Sequence, residues 1–457
     1  MAEISLKKKV WGWFFYDWAS QPYHTLLVTF IFGPYFAAVL ASHLMGTGLS
    51  EGVANAQAQS TWAWGQMIAG LIIGFSAPIL GAIADNTRGK MPWVVFFSLL
   101  TVLGSAMLWN TLPDGSNAVS MLVFFCLGFV GVELSLIFIN AFLPGLGDEK
   151  EIGRISGSGY AFGYAGGVLS LILMLLLFQE TESGKTLIGI DPLFGFDASL
   201  REGTRFVGPF AAIWYIVFMI PFFLWVREDP KYVKRGGSVT AALMNLWATI
   251  KSLPKRKSLG TYLLSSMIYR DALNGLYSFG GVYAKLVLGW PLIYIGIFGI
   301  VGAISAAVFA WVGGRADHRF GPKPVIKLSI FVLLLVTLTI VFMTRDSFFG
   351  IALPEGSAIP DITFFICGAL IGAAGGTLQA ASRSMMVRHI ESDNPTEAFG
   401  LYALSGRATA FLAPALIGVF TIMLQSARLG VTPLIGLFLI GLFLLRWVHP
   451  DGSRASK

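Results

Sequence analysis

The sequence predicts an all-α polytopic membrane protein with twelve transmembrane helices in two pseudo-symmetric six-helix bundles. Three observations predict this fold class: an apolar composition, twelve apolar runs long enough to span a bilayer, and a motif that recurs about half a chain later. The composition indicates that the chain folds in a lipid bilayer, the apolar runs give the number of helices, and the recurring motif indicates two similar halves.

Composition identifies the bilayer as the solvent of the folded chain. Of the 457 residues, 55% are hydrophobic and 12% are charged, and the mean hydropathy is +0.71. A soluble domain carries about 25% charged residues, so too few charges are present to cover a water-soluble globule of this size. The 53 glycines favour close contacts between helices in lipid, where small residues let two backbones approach.

Twelve apolar runs give the number of helices, because a spanning helix needs about 20 mostly apolar residues. The runs cover residues 10–41, 58–84, 91–112, 118–146, 153–179, 204–227, 259–287, 290–315, 323–344, 360–388, 397–424 and 428–449. A basic segment separates the sixth run from the seventh. We therefore expect an N-terminal bundle over residues 1–228, a cytoplasmic linker over 229–258 and a C-terminal bundle over 259–457.

Lysine and arginine set the direction of the helices, because they favour the cytoplasmic side of a membrane. When the helices alternate in direction, both termini, the linker and most basic loops fall on one side. The sequence thus predicts an integral protein of the plasma (bacterial inner) membrane with both termini cytoplasmic. This topology also accounts for the net charge of +7, so we expect no nucleic-acid partner.

A motif recurs at the ends of the second and eighth predicted helices. Residues 81–90 (GAIADNTRGK) and 313–323 (GGRADHRFGPK) both read Gly-x-x-Ala-Asp, then basic residues, then Gly and Lys. An acid at one helix end beside bases at the next can form ion pairs that lock one conformation and release another. The candidate gating residues are Asp85, Arg88, Lys90, Asp317, Arg319 and Lys323. The alternative is that these are only positive-inside turns.

Further segments carry a family resemblance across both halves of the chain. They are residues 16–20 (YDWAS), 138–144 (FINAFLP), 154–167 (RISGSGYAFGYAGG), 379–384 (QAASRS) and 399–412 (FGLYALSGRATAFL). Together they resemble the vacuole-effluxer-like branch of the major facilitator superfamily, which includes fungal vacuolar amino-acid exporters and uncharacterised bacterial relatives. The resemblance implies the major facilitator fold, a central cavity lined by helices 1, 4, 7 and 10, and export as the favoured direction.

Polar residues interrupt the apolar runs on those four helices. An ionisable group at mid-bilayer costs about 3 kcal/mol on insertion scales, so such residues usually face a cavity, a partner or a pathway. Several are spaced three, four or seven residues apart, which places them on one helical face. The candidate substrate-binding residues are Asp17, Gln21, His24, Glu133, Asn140, Arg270, Asn274, Tyr277, Gln379, Arg383 and, on helix 11, Arg407.

The charges divide between the halves. The first half places Asp17 and Glu133 in the membrane interior, whereas the second half places arginines there, offset by Asp271. A zwitterionic solute could bridge the halves, because the planar fork of an arginine donates two hydrogen bonds to a carboxylate. Burial favours the protonated form of an acid, which makes Glu133 the first candidate for proton coupling and Asp17 the second. The alternative is that Asp17 only pairs with an arginine to hold the halves together.

The leading interpretation is secondary active transport of a small zwitterionic or anionic, amino-acid-like metabolite by alternating access, with a proton as coupling ion. The chain lacks a phosphate-binding Gly-x-x-x-x-Gly-Lys-Ser/Thr motif, so ATP is not expected to drive it. Five scattered histidines and two separated cysteines predict no metal, no cofactor and no enzyme activity. We expect a monomer in the lipid bilayer. Two alternatives remain: a multidrug exporter, and a receptor or assembly factor that has lost transport.

Overall fold

A computed structural model describes residues 4–86, 90–140, 142, 146, 149–227, 240, 244, 247, 251, 255–389, 402, 405, 406, 409 and 411–452. Within these ranges the side chains of residues 77–79, 81–86, 140, 149–154, 156, 157, 160, 311, 318, 383 and 387 are outside the description. All structural statements below concern the described residues.

Twelve helices follow one another along the chain, as the apolar runs predict. They are α1 (Leu6–Gly46), α2 (Glu51–Asn86), α3 (Met91–Asn110), α4 (Ala118–Asn140), α5 (Glu149–Leu173), α6 (Val207–Trp225), α7 (Lys257–Leu286), α8 (Leu292–Phe320), α9 (Pro322–Val341), α10 (Ile359–His389), α11 (Leu412–Leu424) and α12 (Pro433–Leu444). A two-stranded hairpin, β1 (Ser347–Phe348) and β2 (Ile351–Ala352), lies between α9 and α10. The predicted all-α, twelve-helix architecture is confirmed.

Nine of these helices, within the described ranges, are long and apolar enough to cross a membrane. The other three are α2 and α7, whose sequences contain more polar residues, and α11, which has 13 described residues. The sequence predicted α11 to begin at residue 397. Residues 397–401 lie outside the description. Tyr402, Ser405 and Gly406 are helical, Thr409 and Phe411 lie in turns, and the helix Leu412–Leu424 follows, so helix 11 is discontinuous.

Helix α1 is also discontinuous, and its hydrogen-bonding pattern changes at Pro22. Its first part, Leu6–Pro22, is α-helical, and Tyr23–Phe30 forms a π-helix. A proline lacks the amide hydrogen that the helical ladder needs and crowds the preceding turn. The second α-helical part, Phe32–Gly46, starts after Ile31, which has non-helical dihedral angles (φ −122°, ψ −65°).

Glycines set how closely α1 and α5 pack. A Cβ added at Gly163 would lie 3.0 Å from Asp17 Cβ, and one at Gly166 would lie 2.9 Å from the ring of Trp18. A Cβ at Gly167 would lie 2.6 Å from Thr25 Oγ1. The glycine-rich start of α5 therefore provides a groove for α1, in the manner of small-residue interfaces in membranes.

The helix bundle has two faces, at the two ends of its helices, and we call them the terminal and the distal face. The terminal face carries Ile4 and Gly452, the first and last described residues, and the distal face lies at the other ends of the helices. The described hydrogen bonds between the first six helices and the last six all lie toward the distal face. Gln59 Nε2 donates to Thr421 Oγ1 (3.0 Å) and to the carbonyl of Ala427 (2.8 Å), and Ser60 Oγ donates to the carbonyl of Gly418 (3.3 Å). The distal face is therefore closed.

Candidate substrate and proton site

The break in α1 brings two predicted site residues together. His24 lies in the π-helical segment, and its Nε2 is 3.6 Å from Glu133 Oε1 on α4. The hydroxyl of Thr29 donates to the carbonyl of His24 (2.9 Å), a bond between residues five apart that follows the wider π-helical turn. His24 and Glu133 therefore form a pair between helices 1 and 4, as expected for two cavity-lining helices.

Aromatic side chains of α1 fix the position of α4 around this pair. Tyr16 donates its hydroxyl to the carbonyl of Val132 (2.9 Å), next to Glu133, and Tyr23 donates to the carbonyl of Phe125 (2.6 Å). Both tyrosines are buried. The side chain of Glu133 is 7% exposed and that of His24 is 33% exposed, so the histidine lies on the more open side of the pair.

The other predicted residues of α1 contact α5. Asp17 and Gln21 are half-buried. An added Cβ at Gly159 would meet Asp17 Oδ2 at 2.8 Å, and one at Gly167 would meet Gln21 Cγ at 2.7 Å. Both side chains thus lie along the glycine groove of α5, one turn apart from each other and on the terminal side of His24.

On α7 the predicted stripe is partly open. Arg270 is half-buried, and its guanidinium carbon lies 4.6 Å from the ring centroid of Tyr402. Asn274, one turn further, is exposed although it lies near the middle of a 30-residue helix. Tyr277 is half-buried, and Gly375 on α10 makes room for its hydroxyl, because an added Cβ there would be 1.9 Å away. Gln379 on α10 is half-buried.

Asp271, the residue after Arg270, contacts α11. Its carboxylate Oδ2 accepts a hydrogen bond from the backbone N–H of Ala413 (2.7 Å) on α11. Neighbouring residues on a helix point in different directions, which explains why the two side chains separate. Sequence reasoning named Asp271 but did not include it in the site. The sequence feature that could have identified it is an acidic residue at the centre of a spanning helix.

Some predicted residues lie outside the described part of the structure. They are Arg88 and Arg407 entirely, and the side chains of Asp85, Asn140 and Arg383. Of the other gating candidates, Asp317 is half-buried and Arg319 is exposed. Lys323 donates to the carbonyl of Val448 (2.6 Å), and Lys90 Nζ lies 5.9 Å from the ring centroid of Phe142.

Comparison with known proteins places this arrangement in a family. The model of the family described as vacuole effluxer Atg22 like matches residues 5–457. The chain belongs to this family. The match includes both broken helices and the charged positions of α1, α4 and α7. The Atg22-like protein is therefore a transporter of the major facilitator superfamily, and not an enzyme.

Individual relatives match over almost the whole chain. An uncharacterised MFS-type transporter, YxiO of Bacillus subtilis (strain 168), is 24% identical over 97% of this chain and 95% of its own. Autophagy-related protein 22 of Vanderwaltozyma polyspora is 20% identical over 99% of this chain and 92% of its own. The Atg22-like protein is thus similar to both bacterial and fungal members.

Solved structures share the fold. A D-xylose–proton symporter superposes with a TM-score of 0.64 at 11% identity, covering 98% of both chains. The nucleoside transporter NupG superposes with a TM-score of 0.57 at 12% identity, covering 97% of this chain and 98% of its own. These similarities confirm the major facilitator fold of the Atg22-like protein.

Proposed function

We propose that this Atg22-like protein is a proton-coupled exporter of a small zwitterionic or anionic, amino-acid-like metabolite, working by alternating access. The observation that carries the proposal is the division of charge. The buried Glu133–His24 pair belongs to the first six helices, and Arg270 belongs to the last six. A zwitterion that contacts both groups bridges the two halves and couples its own position to their relative movement.

Arg270 is the proposed receptor for the solute carboxylate. A guanidinium donates two parallel hydrogen bonds to a carboxylate, and stacking on an aromatic face holds its plane. The ring of Tyr402 supplies that face at 4.6 Å. Asn274 and Tyr277 continue the same stripe of α7 and offer further hydrogen bonds to the solute, as Gln379 does from α10. We propose Arg383, Arg407 and Asn140 as further contacts.

Glu133 is the proposed site for which proton and solute amine compete. A carboxylate that is 7% exposed in the bilayer interior needs a positive partner, because an uncompensated charge there costs about 3 kcal/mol or more. A bound proton or a bound ammonium group each meets that need. Since only one of them is required at a time, loading the solute releases the proton, and the two move in opposite directions. His24 is the neighbouring acceptor, and Asp17 and Gln21 extend the polar path toward the terminal face.

The distribution of basic residues supports a cytoplasmic terminal face in a plasma (bacterial inner) membrane. The closed distal face then leaves the site accessible from the cytoplasm. The family description as effluxers supports export. We propose a monomer with an N-terminal bundle over residues 1–228, a linker over 229–258 and a C-terminal bundle over 259–457, with the acid–base loops after α2 and α8 as cytoplasmic gates.

Reconstituted vesicles test the proposal. Vesicles loaded with a labelled amino acid should release it faster when the outside is acidified than when no pH gradient is imposed. Glu133→Gln should abolish the acceleration while leaving expression intact and exchange of labelled for unlabelled solute detectable. The matched control is Glu182→Gln, because Glu182 is an exposed glutamate in the loop after α5. Unchanged acceleration in Glu133→Gln removes Glu133 from the mechanism.

The same vesicles separate the alternatives. Acid-driven release of amphipathic drugs but not of amino acids would identify a multidrug exporter and reject the substrate class. A screen of amino acids, organic acids, peptides and drugs for thermal stabilisation of the purified protein gives the substrate class independently, because a ligand of the native state raises stability by mass action.

A further inference from the structure

Asp271 lies at the centre of the membrane-spanning part of the protein. It is the midpoint of the 30-residue helix α7, about 21 Å from either end at 1.5 Å per residue. The residue is 3% exposed. One turn later on the same face, Gly275 allows α11 to approach, because an added Cβ would lie 3.1 Å from Ala413 Cβ. The carboxyl group of Asp271 thus lies directly at the start of α11.

One amide hydrogen at the start of α11 has no partner among the described residues of its own chain segment. The N–H of Leu412 donates to the carbonyl of Thr409 and that of Ala415 to the carbonyl of Phe411, and Pro414 has no N–H. Ala413, the second residue of the described helix, is therefore left to bond outside it. The 13 residues of α11 extend about 20 Å from the distal end, more than half of a hydrocarbon core of about 30 Å. In lipid such groups need a partner from another element, and Asp271 Oδ2 supplies one at 2.7 Å.

The second carboxylate oxygen of Asp271 has no hydrogen-bond partner within the described structure. The adjacent cation, Arg270, lies over Tyr402 on the other side of the helix 11 break. On α7 the other flanking titratable group is Tyr269, whose hydroxyl is hydrogen-bonded with Ser382 (2.7 Å). Neither α11 nor α12 contains a titratable residue.

The remaining packed elements are α8, α9, α10 and α1. The charged residues of α8 and α9 are Arg315, Asp317, Arg319, Lys323 and Lys327, near the loop that joins the two helices. The side chain of Arg383 on α10 is outside the description. On α10 the titratable residues are Asp361, Cys367, Arg383, Arg388 and His389. Asp361 accepts hydrogen bonds from Trp290 and Arg345, and Arg388 bonds to the C-terminal turn. On α1, His24 lies beside Glu133. Asp271 has therefore one amide partner and no ion pair within 4 Å in the described region.

We propose that Asp271 is a second proton-binding group and that its protonation controls the start of α11. Burial favours the protonated form of an acid, and one oxygen of the buried Asp271 carboxyl has no hydrogen-bond partner among the described residues, so Asp271 holds a proton in this conformation. When the O–H bond breaks, the proton passes to solvent water and the electron pair stays on the carboxylate. The bond to Ala413 N–H then becomes charge-assisted and gains the favourable helix dipole. Deprotonation fastens the start of α11, and protonation loosens it.

The consequence for transport rests on the proposed function. Tyr402 and Gly406 precede the break in helix 11, and both contact the guanidinium of Arg270. A change at the start of α11 is therefore transmitted to the segment that holds the proposed carboxylate receptor. Asp271 acts as a positioning residue for Arg270. Its proton is bound in addition to the proton that Glu133 binds.

Infrared spectroscopy of the purified protein in lipid tests the protonation without transport. The wild type should show the C=O band of a buried carboxylic acid near neutral pH. Because Glu133 is also a proposed proton site, this band has two components. Asp271→Asn should remove one component, and Glu133→Gln should keep that component and remove the other. The asparagine oxygen still accepts from Ala413 N–H, so this variant keeps the helix start. An identical band in Asp271→Asn overturns the proposal.

A spin label tests the coupling to α11. A label at Thr409→Cys, with Cys126 and Cys367 replaced by alanine, should change its mobility with pH, and Asp271→Asn should abolish that change. The control label at Met423→Cys, an exposed position at the other end of α11 (71% exposed), should not respond in either background. A response at 409 that persists in Asp271→Asn overturns the coupling. If both tests succeed while Glu133→Gln retains proton-driven transport, the proposed function fails and this inference stands.

Discussion

The guanidinium of Arg270 is held by two neighbours that only the tertiary structure supplies. It lies 4.6 Å from the ring centroid of Tyr402, and at Gly406 an added Cβ would approach Nη1 to 2.6 Å. A cation–π contact contributes about 0.5–2 kcal/mol. Because the stacked plane also fixes the direction of the remaining N–H groups, the side chain has the geometry that the proposed carboxylate receptor requires.

Arg270→Lys tests this role while keeping the charge. A lysine ammonium cannot donate two parallel bonds in a fixed plane, so amino acids should bind about tenfold more weakly, or about 1.4 kcal/mol. Amines that lack the carboxylate should be unaffected. Calorimetric titration of the purified protein measures both, with Arg428→Lys in the distal turn before α12 as the control. Equal weakening of amines and amino acids would reject the carboxylate role.

At the scale of elements, a buried acid organises the distal loop between α5 and α6. Glu180 is 2% exposed and accepts hydrogen bonds from the N–H (2.9 Å) and the hydroxyl (2.7 Å) of Thr204. Arg201 Nε lies 3.5 Å from the same carboxylate. Arg201 itself has a left-handed backbone (φ 55°), an unusual conformation for a residue with a long side chain. The network ties the loop to the start of α6.

Burial raises the pKa of Glu180 above its usual 4.5, which gives the loop a pH dependence. Between the usual and the raised pKa the native state binds more protons than the unfolded state, so the free energy of unfolding falls as pH rises. The contribution of protonated Glu180 to the free energy of unfolding is fully present below the usual pKa, and it is lost as pH rises through the raised pKa. Glu180→Gln cannot ionise, so its unfolding temperature relative to the wild type should increase as pH rises from the usual pKa of 4.5 through the raised one.

Thermal unfolding in detergent at several pH values measures this difference. Glu182→Gln is the matched control, because Glu182 is an exposed glutamate two residues away. An offset between Glu180→Gln and the wild type that stays constant over the whole pH range would show that the pKa of Glu180 does not govern the loop.

The helices can be predicted from the sequence, whereas the interruptions of helices 1 and 11 can be predicted only in part. Twelve apolar runs specify twelve helices because the bilayer requires about 20 apolar residues for each. Pro22 marks the break in α1, since proline cannot join the hydrogen-bond ladder. The start of α11 at Leu412 depends on Asp271 of another helix, and no local pattern contains that information. The same holds for His24 and Glu133: spacing puts each on a helical face, but the rotation of α1 against α4 decides their contact.

At the scale of the whole molecule, the two groups of six helices meet toward the distal face. Gln59 on α2 is fully buried and bonds to both Thr421 and Ala427 around the end of α11. Gly281 on α7 packs against α1 so closely that an added Cβ would lie 2.2 Å from the carbonyl of Thr29. Such contacts must separate when the site opens to the distal side, so they define the closed state.

Gln59→Leu should weaken this closed state, because it removes two hydrogen bonds and keeps a similar volume. Each bond contributes about 0.5–1.5 kcal/mol, so the population of distal-open molecules should rise about tenfold. Double electron–electron resonance measures the distance across this face between spin labels at Glu51→Cys and Gln425→Cys, two exposed positions. Gln57→Leu, at an exposed neighbour, is the control. Identical distance distributions in the two variants would contradict the role of Gln59 as a latch.

Solute-driven proton movement is the most direct measurement of the central claim. Sealed vesicles containing the protein and an internal pH indicator are mixed with an amino acid at equal pH inside and outside. If solute and proton exchange at Glu133 as proposed, the amino acid gradient acidifies the side from which the solute enters and makes the interior more alkaline. Glu133→Gln should show solute exchange without any pH change. Solute entry into wild-type vesicles with no change in internal pH would contradict proton coupling.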